Sequence, residues 1–219
     1  MNNQTSAVKY RPKSWEDLTE QEYIKTILEN QIVTNSIKNA YLFTRSSTAA
    51  GKTTSARIFA NKINEGKGNP IEVDAASNNG VEQIRVIIDD AKFKPLDSKY
   101  KIYILDECHM LSTGAWNAML KLLEEPPKTT IFILCTTDPQ KIPKTILSRV
   151  QRYDFNKISL DGIVERLRYI ILEENKLIEK QARKQEFIDI VEIEFEEEAL
   201  QYIAKVSEGR NERCYINVR

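Results

Sequence analysis

The stretch "AYLFTRSSTAAGKTTSARIFA", residues 40–60, decides how the chain is read. It opens as an apolar strand and closes as a helix whose apolar positions, Ala56, Phe59, Ala60 and Ile63, recur at helical spacing. Between them lies a loop that ends Gly51-Lys52-Thr53, the second half of the phosphate-binding pattern G-x-x-x-x-G-K-[ST]. Such a loop works because backbone N–H groups and a helix N-terminus surround phosphates, a lysine neutralises their charge, and a hydroxyl holds Mg²⁺. Ala49, Ala50, Gly51, Lys52, Thr53 and Thr54 are the candidate phosphate cradle, with Thr53 also a metal ligand. Ser46 stands where the first glycine of the pattern belongs.

A second stretch, "IYILDECH" (102–109), is an apolar strand ending in two acids, the form of a Walker B strand. Asp106 at its C-terminal edge is a candidate Mg²⁺ ligand, and Glu107 is a candidate for polarising the attacking water. A third, "CTTDPQKIP", sets Thr137 at the end of the next strand, where a hydroxyl can reach a terminal phosphate. "ILSRV" then offers Arg149 as a finger for a neighbouring subunit's nucleotide. The single histidine, His109, is assigned no catalytic role, because one histidine beside such an edge is more often a packed, hydrogen-bonding residue. Lys92, Lys94, Lys99 and Lys101 make a local basic cluster that reads first as a solvated face.

Composition narrows the class. The 219 residues carry 32 basic and 32 acidic side chains, which excludes a globally basic nucleic-acid binder. Three cysteines without C-x-x-C spacing offer no zinc site and suit a reducing compartment. No apolar run has membrane length and the start lacks a signal core, so a cytoplasmic protein is expected.

Four apolar runs, 40–44, 70–76, 101–107 and 130–137, alternate with helical patterns, and "QRYDF" reads as a last strand. This is the βαβ signature of a parallel α/β sheet flanked by helices. Trp116, Met119, Leu120 and Leu123 mark a helix with Ser112 as N-cap and Pro126-Pro127 as its stop. After residue 157 the pattern is helical, which divides the chain into a nucleotide-binding domain (1–157) and a small helical lid (158–219). A charged insertion over about 176–196 interrupts the lid, with alternation from Ile188 to Phe195 that suits a short strand.

The order of these elements resembles the AAA+ ATPases. "KYRPKSWEDL", "IEVDAASNNGVEQIR", "LDECHMLSTGAWNAMLKLLEEPP" and "TTDPQKIPKTILSRV" resemble more closely the clamp-loader family that contains the gamma/tau subunits of bacterial DNA polymerase III. The resemblance covers about residues 8–170 and implies that Tyr10, Arg11 and Pro12 lie beside adenine. It also implies that Thr137 senses the γ-phosphate and that Arg149 acts across a subunit boundary. Several positions depart from the family pattern. The loop is one residue longer and lacks its usual glycines, Glu20 replaces a glycine before Gln21, and Val150 replaces the cysteine after the finger. "NEGKGNP" runs directly into the second strand where the family carries a zinc module. Glu212 falls at the second sensor arginine, with Arg213 one position late.

The resemblance implies an ATP- and Mg²⁺-dependent, zinc-free motor subunit that loads a sliding clamp onto primed DNA in a bacterial or phage-infected cell. Its partners would be other clamp-loader subunits, the clamp and primer–template DNA, with no membrane. Since the family's collar does not follow residue 219, the isolated chain is expected to be monomeric, with turnover well below the typical enzyme median of about 10 per second. Two alternatives stand beside it: a non-hydrolysing structural subunit of the same assembly, and another AAA+ DNA-replication motor.

Overall fold

A computed structural model of the chain describes residues 6–45, 51–182 and 193–206. These residues group into two compact units, one of residues 12–156 and one joining residues up to 11 with those from 157 onward. The N-terminal residues therefore group with the C-terminal helices, whereas the sequence alone places them with the nucleotide-binding segment.

In the larger unit five parallel strands, β1 (Ala40–Thr44), β2 (Ile71–Asp74), β3 (Lys101–Asp106), β4 (Thr130–Thr136) and β5 (Gln151–Asp154), form one sheet in the order β2-β3-β4-β1-β5. β1, β3 and β4 are buried on both faces, so their successive side chains are apolar in both directions, whereas the edge strands β2 and β5 are largely exposed. Leu42, Tyr103, Leu105, Phe132 and Leu134 join a core with α4 (Val81–Ala91), α5 (Thr113–Glu124) and α6 (Lys144–Leu147). Their neighbours Tyr41, Phe43, Ile102, Ile104, Ile131 and Ile133 join a second core with α2 (Glu22–Val33) and α3 (Lys52–Ile63).

Local chemistry sets the helix ends. Ser112 caps α5, its hydroxyl accepting from Ala115 N at 3.2 Å, and the helix stops at Glu124 before the two prolines. Trp116, Met119 and Leu123 of the expected stripe are buried; Leu120 is only half-buried, and Leu122 takes its place in the core. A network of buried polar groups ties α2 to the sheet. Gln31 on α2 donates to Tyr153 Oη at 3.1 Å and to Gln151 Oε1 at 2.8 Å, and it accepts from Tyr41 Oη at 2.9 Å. Burial pushes the Tyr153 phenol up to about 12 and Tyr41 higher still, so both remain neutral partners. Just past β5, Asn156 is gripped twice by Gln21: its carbonyl accepts from Gln21 Nε2 at 2.8 Å and its N–H donates to Gln21 Oε1 at 3.0 Å.

In the other unit, α7 (Leu160–Ala182) runs seven residues into the segment expected to be an irregular insertion. Residues 176–182 are strong helix formers, and Lys176 reaches Glu173 one turn back at 2.7 Å. α8 (Glu197–Val206) follows, with Leu200 and Ala204 buried and Arg168 paired to Glu197 at 2.5 Å. Of the alternation from Ile188 to Phe195, residues 188–192 lie outside the described residues, and 193–195 form no strand. α1 (Ser6–Lys9) completes the unit through a Lys9–Glu174 ion pair at 2.7 Å.

Phe59 on α3 is fully buried and meets Tyr41 edge-on, ring centroids 5.0 Å apart. Phe59→Ala should cost about 3–5 kcal/mol, the range for a buried aromatic truncated to a cavity. Urea titration of the variant against the parent measures this directly.

Candidate nucleotide site

The strand order fixes where a ligand belongs. After β1 the chain crosses to the far edge at β2 and returns through β3 and β4, and β5 adds on the opposite side of β1. In open α/β sheets the crevice at the carboxyl ends beside such a reversal is the binding position. The carboxyl ends of β1, β3 and β4 lie level, with Thr44 opposite Thr136 and Leu105 opposite Leu134.

Helix α3 begins at that edge. Gly51, its N-cap, takes φ +87°, and its carbonyl accepts from Ser55 N at 2.6 Å. A Cβ on Gly51 would meet only ordinary contacts, 3.6 Å from Leu18 Cδ1, so the backbone angle rather than space calls for glycine. Lys52 follows, 5% exposed although it carries a charge. Thr53 comes next, and its Oγ1 donates to Asp106 Oδ2 at 2.8 Å. The other Asp106 oxygen, Oδ1, accepts from Glu107 N at 3.0 Å. The hydroxyl and carboxylate read separately from two motifs are thus in direct contact. Ala49 and Ala50, with Ser46, lie outside the described residues. Thr54 is half-buried in the first turn of α3.

Glu107 has φ +46°, a left-handed backbone that costs a non-glycine residue about 1–2 kcal/mol. Strain of this kind collects at functional sites. Its carboxylate Oε2 accepts from Thr137 Oγ1 at 2.9 Å, so the third motif also converges here. Two residues that the sequence left without a role stand beside them. His109 Nδ1 lies 3.0 Å from Thr136 Oγ1 and 3.3 Å from Glu107 Oε2. The available signal was their position alone, His109 two residues after Glu107 and Thr136 one before Thr137. Burial pushes the Cys108 and Cys135 thiols well up, which leaves them no thiolate chemistry.

Arg149 follows α6, and its guanidinium is held by its own unit. Nη2 donates to Glu124 Oε1 at 2.7 Å, and Nη1 to Thr145 O at 2.6 Å and Ser148 Oγ at 3.0 Å. Glu124, from the "LLEEPP" stretch, is another partner that the sequence reading did not single out. Of the residues assigned to adenine, Pro12 belongs to the sheet unit, whereas Tyr10 and Arg11 belong to the other. There Tyr10 is buried, its carbonyl accepting from Arg166 Nη2 at 2.7 Å. Glu20 and Gln21 take φ +59° and +66°, which accounts for the glycine that the family pattern carries at the first of these positions. Three lysines of the basic cluster serve separate purposes: Lys92 pairs with Asp89 and Lys101 with Asp90, and Lys99 reaches Asn35 Oδ1.

These residues fit a nucleoside triphosphate with Mg²⁺. A buried lysine beside a glycine-started helix is an anion site, and a threonine hydroxyl with a carboxylate suits a hard cation that keeps waters and phosphate oxygens. Among the described residues no group of three or more His, Cys, Asp or Glu is placed to hold a metal by protein ligands alone. Fold and site together define an AAA+ P-loop module. Superposition on the Holliday-junction branch-migration motor RuvB of Thermotoga maritima gives a TM-score of 0.70 over 95% of this chain and 64% of that one, at 18% identity.

Within that class the chain is a relative of the tau/gamma subunits of bacterial DNA polymerase III. It is 42% identical to the tau subunit of Bacillus subtilis over 91% of this chain and 36% of that protein. It is 35% identical to the tau subunit of Escherichia coli over 95% of this chain and 33% of that protein. The chain therefore spans about a third of these relatives. A gamma subunit-related protein of Thermotoga maritima matches at 26% identity and a TM-score of 0.53, over 63% of this chain and 49% of that one. Residues 69–159 match the family model for the DNA polymerase III delta subunit.

Lys52→Ala should weaken binding of a fluorescent ATP analogue by a hundredfold or more, about 3 kcal/mol for a lost charge-assisted contact. The far-ultraviolet spectrum should stay that of the parent. Parent-like affinity would remove the loop from nucleotide binding.

Proposed function

We propose that the chain is an ATP-driven motor subunit of a clamp loader for a replicative DNA polymerase, working in the cytoplasm of a bacterial or phage-infected cell. The observation that carries this is the 2.8 Å bond from Thr53 Oγ1 to Asp106 Oδ2, beside a buried Lys52. It joins the start of the phosphate helix to the end of the acidic strand. In this reading residues 12–156 are the nucleotide-binding module and the C-terminal helices are the lid. Tyr10, Arg11 and Pro12 would lie beside the base, and Gly51, Lys52, Thr53 and Thr54, with Ala49 and Ala50, would line the phosphates.

Each side chain has one task. Lys52 balances phosphate charge, and Thr53 and Asp106 would hold a magnesium ion, which would neutralise charge on the phosphates. Glu107 accepts the proton of the attacking water. Thr137 contacts the terminal phosphate, and Arg149 of one subunit stabilises charge at the site of the next. ATP binding would draw subunits into a form that opens a sliding clamp and grips primer–template DNA, and hydrolysis would release both. Relatedness to tau/gamma subunits at 35–42% identity supports the replication role. A site completed by a neighbour's arginine would leave turnover by the chain alone weak.

Glu107→Gln keeps the size of the side chain and removes its basicity. It should retain nucleotide affinity and lose turnover by at least about a hundredfold, as expected when a positioned base is removed. Equal turnover in variant and parent, both above background, would exclude Glu107 as the base and favour a structural subunit. Arg149→Ala should depress the ATPase rate of a reconstituted clamp-loader assembly and leave the affinity of the single chain for nucleotide as it was. Mixing it with a Lys52→Ala subunit, which supplies the missing arginine, should restore part of the rate. An unaltered rate in the assembly would argue against the trans role.

A further inference from the structure

His109 is the chain's single histidine and sits on the turn Cys108–Met110 that follows Glu107. Its side chain is 11% exposed. Nδ1 faces two oxygens, Thr136 Oγ1 at 3.0 Å and Glu107 Oε2 at 3.3 Å. A carboxylate only accepts, so a ring nitrogen facing one without repulsion must carry the hydrogen. Thr136 Oγ1 already accepts from Asp138 N at 3.0 Å and has a second lone pair to offer. The carboxylate therefore selects the Nδ1–H tautomer, which leaves Nε2 without a hydrogen in the neutral ring, and Thr136 Oγ1 is able to accept from it.

The same Glu107 oxygen also accepts from Thr137 Oγ1 at 2.9 Å. Thr137, just past β4, thus bonds this carboxylate directly, while His109, bonded to Thr136 at the end of β4, stands beside it at 3.3 Å. We propose that His109 is a positioning residue for ATP hydrolysis: its Nδ1–H holds Glu107 Oε2, so that the carboxylate keeps one orientation and Oε1 is left for the attacking water. This rests on the reading of Glu107 as the water-activating base. Glu107 needs such support, because its backbone is already in a strained left-handed conformation and its other partner, Thr137, is assigned to the phosphate. When Thr137 turns its hydroxyl to a phosphate oxygen, His109 remains the donor that prevents the carboxylate from swinging away.

Two side chains separate the ring nitrogens. Asparagine places its amide nitrogen near the position of Nδ1, and glutamine places it near that of Nε2. In single-turnover hydrolysis with the chain in excess, His109→Asn should stay within about threefold of the parent, whereas His109→Gln and His109→Ala should fall at least about tenfold, a loss typical of a misplaced reacting group. All three should bind the fluorescent ATP analogue as the parent does. Equal losses in the asparagine and glutamine variants, or losses matched by lost affinity, would overturn the assignment. A second measurement is independent of turnover. In ¹⁵N-histidine-labelled chain at mildly alkaline pH, the one imidazole should give the Nδ1–H pattern, and Glu107→Gln should shift its Nδ1 signal. An Nε2–H pattern would overturn the proposal. A parent chain with no turnover but with the Nδ1–H tautomer would count against the ATPase reading and support the His109–Glu107 pairing.

Discussion

The contact between Thr53 and Asp106 is the constraint on which the site depends. One partner opens α3 and the other closes β3, two elements on which different motifs were read. The bond requires α3 to start at the level where β3 stops, and the sheet meets that requirement through the parallel registers of β3 with β4 and of β4 with β1. Those registers in turn depend on continuous apolar runs, because a shift of one residue would exchange the Tyr41–Phe43 face for the Leu42 face across two different cores. The site is thus a consequence of how the sheet is packed. A hydrogen bond of this kind contributes only about 1 kcal/mol by itself, so it reports the alignment and does not impose it.

Much of this was legible in the sequence. The strands were visible because strands covered on both faces have to be apolar throughout, and α5 was visible because Ser112 and Pro126-Pro127 punctuate it. Lys52, Thr53, Asp106, Glu107 and Thr137 stood out because phosphate chemistry calls for fixed residue types next to strand ends, and the structure brings Thr53 to Asp106 and Thr137 to Glu107. His109, Thr136 and Glu124 did not. Each acts through another side chain, and the pairing depends on which strand lies beside which, a fact of topology that spacing does not carry. The extent of α7 was missed for a different reason. Dense charge at residues 176–182 suggested a break, but lysine and glutamate are good helix formers when one turn pairs with the next. The grouping of Tyr10 with the C-terminal helices was equally hidden, since it depends on contacts such as that from Arg166, 156 positions away.

Electrostatically the module is organised by local neutralisation. Arg149 rests on Glu124, Lys101 on Asp90 and Lys92 on Asp89, which accords with a net charge of +0. Lys52 is buried and, among the described residues, forms no ion pair, in contrast to these surface cations. A buried cation without a counter-charge is costly, and a bound anion would offset that cost.

Gln21 has a mechanical consequence. Its side-chain amide holds both the N–H and the carbonyl of Asn156, the last residue before the chain leaves the sheet unit. An amide clamping a peptide in both directions acts as one extra rung of a ladder, lent by a helix cap instead of a strand. Tension along the polypeptide at residue 157 would meet this rivet before it reached β5, an edge strand of four residues that would otherwise peel from its end. Because the two bonds are loaded together, they resist shear jointly where single bonds would yield in turn. Force arriving along the chain at residue 157 would therefore reach the sheet through this clamp, and the left-handed backbone at Glu20 and Gln21 is a bend at the clamp itself.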